Sequence, residues 1–230
     1  MPYFDLLASS GLGSLLGMRH ALEPDHLAAV STLVTDQRNS RRAAWLGVCW
    51  GIGHTLTLLL VGAALVVLRA ELPARVSDVF ELFVAVMLIG LGARAIVVAA
   101  RLGRSGPVHV HAHRGHVHSH HGAPAHVHIG AWTLARRPLL VGAVHGLAGS
   151  GALTALVLAT LPTTTARLVY IVLFGIGSTA GMAALSGLLG WPLARAGSNR
   201  AVARGISFAV GCFSVVLGIA WGYPLVQRLF

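Results

Sequence analysis

Between Met18 and Ser31 the chain reads Met-Arg-His-Ala-Leu-Glu-Pro-Asp-His-Leu-Ala-Ala-Val-Ser. Two imidazoles (His20, His26), two carboxylates (Glu23, Asp25) and the Arg19 guanidinium thus surround a proline inside apolar sequence. Imidazole with carboxylate is the donor set of Ni(II), Co(II), Zn(II) or Cu(II). It disfavours Cu(I), which takes thiolate or thioether, and Mg or Ca, which take oxygen. An ionisable group at membrane depth costs about 2.5–3.5 kcal/mol even on the lenient insertion scale, so such a cluster reads as a functional site unless its charges are otherwise compensated.

Spacing alone does not bring these ligands together. On an ideal helix Asp25 and His26 project about 140° and 240° away from His20. Pro24 has no N–H, so the His20 carbonyl loses its helical donor and the helix must kink or break there. A break at Glu23-Pro24 lets His20, from one half-helix, converge with Asp25 and His26 from the next. The other two histidines inside apolar runs are His54 and His145, and both join the candidate metal ligands. Arg19 and Glu23 are candidates for neutralising the empty site or carrying a proton, with snorkelling the plainer account of Arg19. Thr55, Ser150 and Ser178 can offer hydroxyl oxygens, although small polar residues at helix contacts are the commoner explanation. Cys49 and Met182 read as packing.

The elements that must position these residues are transmembrane helices. The 230 residues are 55% hydrophobic and 10% charged, with mean hydropathy +0.75, whereas a soluble domain carries about 25% charged residues. Six apolar runs can span a bilayer, at about 6–34, 43–68, 79–100, 139–160, 168–190 and 205–226. Nothing alternates as barrel strands do, so they read as helices. The net charge of +10 does not point to nucleic acid, because the arginines sit between apolar runs instead of interleaving with aromatics. Eleven of them (Arg38, Arg41, Arg42, Arg101, Arg104, Arg114, Arg136, Arg137, Arg195, Arg200, Arg204) follow the first, third and fifth runs, against four (Arg69, Arg75, Arg167, Arg228) on the other side. The positive-inside rule then predicts a multi-pass protein of the cytoplasmic membrane, both termini outside and the long connection after the third helix in the cytoplasm. The N-terminus lacks a basic n-region and a cleavage pattern, so the first run is expected to be retained. Cys49 and Cys212 allow no disulfide framework, redox motif or thiolate metal site.

Two further patterns organise the chain. Nine histidines (His109, His111, His113, His116, His118, His120, His121, His126 and His128) lie within twenty residues of Gly/Pro/Ala context. Such a tract binds divalent metals weakly and flexibly, or is a dispensable linker. The second pattern is a repeat. His20-Ala-Leu-Glu-Pro-Asp is followed 34 residues after His20 by His54 in Gly51-Ile-Gly-His-Thr55, and His145-Gly-Leu-Ala-Gly-Ser is followed 33 residues after His145 by Ser178 in Gly175-Ile-Gly-Ser-Thr179. Each half holds three spans, an odd number, so the second half enters the membrane inverted. The expected fold is an all-α integral membrane protein of six transmembrane helices in two inverted-topology three-helix repeats. Residues 1–100 form the first repeat, 101–138 the cytoplasmic His-rich loop and 139–230 the second repeat. The first helix is interrupted at Pro24, and the fourth at the glycines 146, 149 and 151.

With these motifs in place, the chain resembles the nickel/cobalt transporter (NiCoT) superfamily, and within it the six-helix UreH-type members. Arg19-His20-Ala21-Leu22-Glu23-Pro24-Asp25-His26 fits that family's His-x4-Asp-His signature, Gly53-His54-Thr55 its second motif, and His145 to Leu153 the UreH-type third one. Ala148-Gly149-Ser150-Gly151 departs from the acidic Asp-Thr-Ala-Thr-Glu of the eight-helix members. The resemblance implies selective transport of Ni(II) or Co(II), with His20, Asp25 and His26 essential for recognition. The expected function is therefore secondary uptake of Ni(II) or Co(II), with no permanently bound cofactor and no enzymatic activity. The partners are the metal ion, the lipid bilayer and a cytosolic metal acceptor, and the oligomeric state is open. No nucleotide-binding loop is present. The competing readings are efflux by the same fold, an intramembrane His-box metalloenzyme and a metal-storing scaffold.

Overall fold

The computed structural model describes residues 2–34, 37, 39–102, 110–113, 116–119, 126–129, 132–196 and 199–230. Helix α1 (Pro2–His20) stops where the missing Pro24 amide requires it to, and α2 (Pro24–Val34) restarts at once. The amide of Glu23 takes over the orphaned His20 carbonyl at 3.0 Å, and the Glu23 carbonyl accepts from Leu27 at 2.9 Å, opening α2. Then come α3 (Ser40–Leu68), α4 (Ala74–Leu102), α5 (Arg136–Thr160), α6 (Thr164–Ala196) and α7 (Arg200–Leu229). The side chains of Asn39 and Asn199 cap α3 and α7, as this residue type does at helix starts. Helix α3 ends at Arg69 in the left-handed region, φ 50°, with its amide on the Val66 carbonyl at 3.3 Å.

Among the described residues four helices are individually long and apolar enough to cross a membrane, within α3, α4, α6 and α7. The expected first span is divided into pieces of 19 and 11 residues, and α5 carries two arginines in its first turn together with His145 and several glycines. The chain is a multi-pass helical membrane protein. β structure among the described residues is confined to two antiparallel ribbons in the His-rich segment, β1 (Val110–His113) with β2 (His116–Ser119) and β3 (His126–Ile129) with β4 (Trp132–Ala135). His111, His113, His116, His118, His126 and His128 are on these ribbons, but their side chains lie outside what is described. His109, His120 and His121 lie outside the described residues altogether.

One expectation is corrected. Helix α5 runs unbroken through His145 and Gly149, so the fourth span is not interrupted. Glycine permits a break but retains its amide, whereas Pro24 removes one, and only the latter forces the helix to end. Gly146, and Gly142 one turn before it, serve close approach instead. A methyl group on Gly142 would come 2.0 Å from the Trp50 carbonyl oxygen, and one on Gly146 would come 2.4 Å from that of His54.

Backbone interlocks of this kind fix how the helices run. Trp50 meets Gly142 and Thr57 meets Gly146, so α3 and α5 are parallel; Gly13 meets Tyr170 and Gly17 meets Phe174, so α1 and α6 are parallel. Helices α3 and α6 are antiparallel, with Gly51 against Thr179 and Gly175 against Thr55. They are tied by Ser40 Oγ donating to the Gly187 carbonyl at 2.7 Å and by Thr55 Oγ1 within 2.9 Å of both the Gly175 carbonyl and Thr179 Oγ1. Helices α4 and α7 form a second antiparallel pair through Gly92 and Gly211, with Ser214 Oγ donating to the Leu88 carbonyl and Arg228 paired to Asp78 at 3.3 Å. Helix α2 rests chiefly on α7. Two apolar clusters result. One is centred on Val30, Trp50, Leu88 and Met182, the other on Leu58, Val157, Ile171 and Phe174.

Candidate metal centre

His54 is the middle residue of α3, with fourteen residues on either side, or about 21 Å of helix in each direction. The α1–α2 break is at the same depth, because His20 packs beside His54 with ring centroids 5.3 Å apart. As a pair, α1 and α2 run about 28 Å to one side of the break and about 16 Å to the other, so the break lies well away from either end of the bundle, with Leu22, Glu23 and Pro24 exposed and Asp25 and His26 buried.

Around this point the structure brings together all five residues expected to bind metal. Ligand atoms of His20, His26 and His54 lie within 4.8 Å of one another, and so do those of Asp25, His26 and His145. His26 occupies the centre, its ring centroid 4.5 Å from that of His20, 4.6 Å from His145 and 5.5 Å from His54. The break at Pro24 achieves this. The continuous helix would have turned His26 about 240° from His20.

Hydrogen bonds set which ring nitrogens are free. A carboxylate or carbonyl oxygen can only accept, so the nitrogen facing it is the donor. His26 Nδ1 donates to Asp25 Oδ1 at 3.0 Å, His20 Nδ1 faces Glu23 Oε2 at 3.0 Å, and His145 Nδ1 donates to the Val141 carbonyl at 3.3 Å. That leaves Nε2 of His20, His26 and His145, and both nitrogens of His54, buried with no hydrogen-bond partner. Unsatisfied buried polar atoms cost about 1–3 kcal/mol each, and five ring nitrogens of this cluster are left so. An oxygen acceptor on Nδ1 with Nε2 left free is also the arrangement that orients a metal-binding histidine. His145 Nε2 faces Asp25 Oδ2 at 3.5 Å. A lone pair opposite a carboxylate oxygen calls for a cation between them, a proton or a metal ion.

The remaining candidates separate. Glu23 touches the cluster only through His20, and Arg19 is exposed at the end of α1. The Thr55 hydroxyl is committed to the α3–α6 seam. Ser178 is fully buried with an unpartnered hydroxyl on α6, beside Gly17 of α1. Ser150 is in α5, but its side chain lies outside what is described. Cys49 and Met182 are buried, and Met182 belongs to the apolar core.

Two aromatic residues next to the metal cluster had drawn no expectation. Trp50 stacks on His26 at 5.4 Å and meets His145 edge-on at 5.5 Å, while Phe174 lies 5.3 Å from His20. The signal was in the repeat, since each immediately precedes a Gly-Ile-Gly, in Trp50-Gly-Ile-Gly and Phe174-Gly-Ile-Gly.

The family model described as NicO, high-affinity nickel-transport protein, matches residues 6–220. The chain is 34% identical over 226 residues to the urease accessory protein UreH of Bacillus sp. (strain TB-90), covering 98% of this chain and 95% of that one. No solved structure matches. A match over nearly the whole chain, with a buried imidazole–carboxylate cluster at its centre, makes this a transport protein and not an enzyme. The chain belongs to the NicO family of high-affinity nickel-transport proteins.

Proposed function

We propose that the protein takes up Ni(II), and Co(II) as a second substrate, across the cytoplasmic membrane, and that His20, Asp25, His26, His54 and His145 are the ligands of the transported ion. The observation that carries this reading is the set of five unpartnered ring nitrogens gathered around His26 and Asp25 deep inside the bundle. The ion sheds part of its water onto these groups. Donors of this kind accept Ni(II) and Co(II) and disfavour the far more abundant Mg(II) and Ca(II). High affinity, which the family description carries, suits capture of a scarce metal from outside. The His-rich segment, on the arginine-rich side, receives the ion and hands it to a cytosolic acceptor.

The proposed architecture is six spans in two inverted repeats, with α1 and α2 together as the first span and both termini outside. The interlocks support it. Gly17 faces the Phe174 carbonyl as Gly142 faces that of Trp50, and Gly177 faces the Ser14 carbonyl as Gly53 faces that of Leu139. The members of each equivalent pair are 124 or 125 residues apart, the same offset as His20 to His145. Parallel α3 and α5, parallel α1 and α6, and antiparallel α3 and α6 make the equivalent helices α1 and α5 run in opposite directions, as inversion requires.

The test is accumulation of labelled nickel in cells expressing the wild type or Asp25→Asn, repeated with Co, Zn and Mn. Wild-type expression should raise cellular nickel, and the substitution should lower flux at least about tenfold through loss of the one carboxylate in the cluster. Lowered cellular nickel on wild-type expression would mean export. Unchanged flux of every metal in Asp25→Asn would show that the site is wrongly assigned.

A further inference from the structure

We infer that the five ligands form two overlapping stations and not one site, and that the ion crosses the centre of the protein by passing from one station to the other, exchanging one ring nitrogen of His26 for the other. This rests on the metal-ligand reading above and deepens it.

Metal–nitrogen and metal–oxygen bonds of about 2.0–2.2 Å leave two ligands of one ion no more than about 4.4 Å apart. His20, His26 and His54 meet this with slight closure, as do Asp25, His26 and His145, but the five do not fall into one group and the two triads share only His26. That shared ring has a nitrogen for each. Nε2 is buried and unpartnered, and Nδ1, which donates to Asp25 Oδ1 at 3.0 Å, binds an ion there once it gives up its proton. Two dications separated by a single imidazole repel strongly, so the stations hold one ion between them.

The stations differ in charge and in access. The first is three neutral imidazoles, and its His20 side chain is 15% exposed, with Nδ1 reaching Glu23, which is 53% exposed. The second contains the Asp25 carboxylate, whose side chain is 12% exposed, and His145, which is 1% exposed and meets Trp50 edge-on. An ion arriving past Glu23 is handed to the all-nitrogen station through the Glu23–His20 contact. Hard cations, which need oxygen ligands, are turned back there. The carboxylate then draws the accepted ion inward.

The test is equilibrium binding of Ni(II) to the purified full-length protein in detergent, by calorimetry, with the Co(II) absorption spectrum reporting ligand type. Binding is read without any transport, so its failure and a failure of the nickel-uptake reading are told apart. Two double variants each disable one station, His20→Ala/His54→Ala and Asp25→Asn/His145→Ala; a third, His54→Ala/His145→Ala, damages both. Wild type should bind one equivalent, and each same-station double should still bind one equivalent. Their Co(II) spectra should differ, all-nitrogen donors in Asp25→Asn/His145→Ala and mixed donors in His20→Ala/His54→Ala. The cross-station double should bind at least about 100-fold more weakly than either. His54→Gln/His145→Gln repeats that arm with side chains of closer volume, should the alanine pair fail to fold. Loss of binding in both same-station doubles, or equal weakening in all three, would show a single site and overturn the proposal.

Discussion

Gly142→Ala isolates helix approach from helix formation and from ligand chemistry. The added methyl would stand 2.0 Å from the Trp50 carbonyl oxygen, 2.7 Å from Trp50 Cδ1 and 2.8 Å from the His54 amide nitrogen. Ordinary contact begins near 3.4 Å, so α5 must retreat locally from α3 by about the difference, 1.4 Å. His145 is one turn further along α5 and moves with it, while Asp25 and His26 are on α2 and do not. The 3.5 Å separation of His145 Nε2 from Asp25 Oδ2 then widens beyond the roughly 4.4 Å that one ion can bridge. Misplacement of a reacting group by about 1 Å can cost about 100-fold, and in the His20→Ala/His54→Ala background, where only the station holding His145 remains, losing that ligand should lower nickel affinity about 10- to 100-fold. The helix itself gains, since alanine is about 1 kcal/mol better than glycine in a helix interior, so lost function would not reflect a melted α5. Nickel calorimetry on the purified protein gives the readout, with Gly90→Ala as control because nothing lies within 4 Å of a methyl there. Unchanged affinity on adding Gly142→Ala to that background would refute the claim that the α3–α5 spacing sets the site.

Pro24→Ala restores the amide that the His20 carbonyl lacks and lets a continuous helix compete with the break. Nickel uptake should fall at least about tenfold, while circular dichroism shows helix content unchanged or raised. Thr55→Val removes the hydroxyl shared by the Gly175 carbonyl and Thr179, so the midpoint of thermal unfolding in detergent should fall by the equivalent of about 0.5–1.5 kcal/mol. Thr179→Val added to it should cost little more, because the two hydroxyls make one contact. Deleting residues 109–128 should leave most uptake in place at saturating nickel, since the buried ligands remain; complete loss would move the essential site into the His-rich segment. Ligand imidazoles must be unprotonated to bind metal, so nickel affinity should weaken as pH falls and should depend on more than one proton.

Much of the candidate centre was legible in the sequence because its signals are chemical. Ionisable residues stand out against apolar runs, and Pro24 dictates where α1 ends without reference to anything else in the fold. The gathering of His54 and His145 onto that break is a tertiary fact, and the repeat was its faint imprint. The same reasoning misjudged the glycines of the fourth span. A glycine allows both an unwound turn and a close crossing, and only the neighbouring backbone, here the Trp50 and His54 carbonyls, decides between them. Trp50 and Phe174 escaped notice for a related reason, since an aromatic side chain in a membrane helix is unremarkable until its ring is seen against an imidazole.

The glycine crossings also bear on how such a protein can move. Helices α1, α3, α5 and α6 touch backbone to backbone, where repulsion rises steeply and there is no side chain to yield, so they behave as one stiff block. Helices α4 and α7 are a second block, locked at Gly92 and Gly211. Helix α2, only eleven residues long, leans mainly on the second block while its first two turns hold Asp25 and His26 against histidines of the first. Among the described helices it alone carries candidate ligands across the joint, so relative motion of the two blocks would act directly on an ion held at the proposed site. On this view the unit that opens and closes the centre is not a sequence half but a short lever, hinged at the three residues before Pro24.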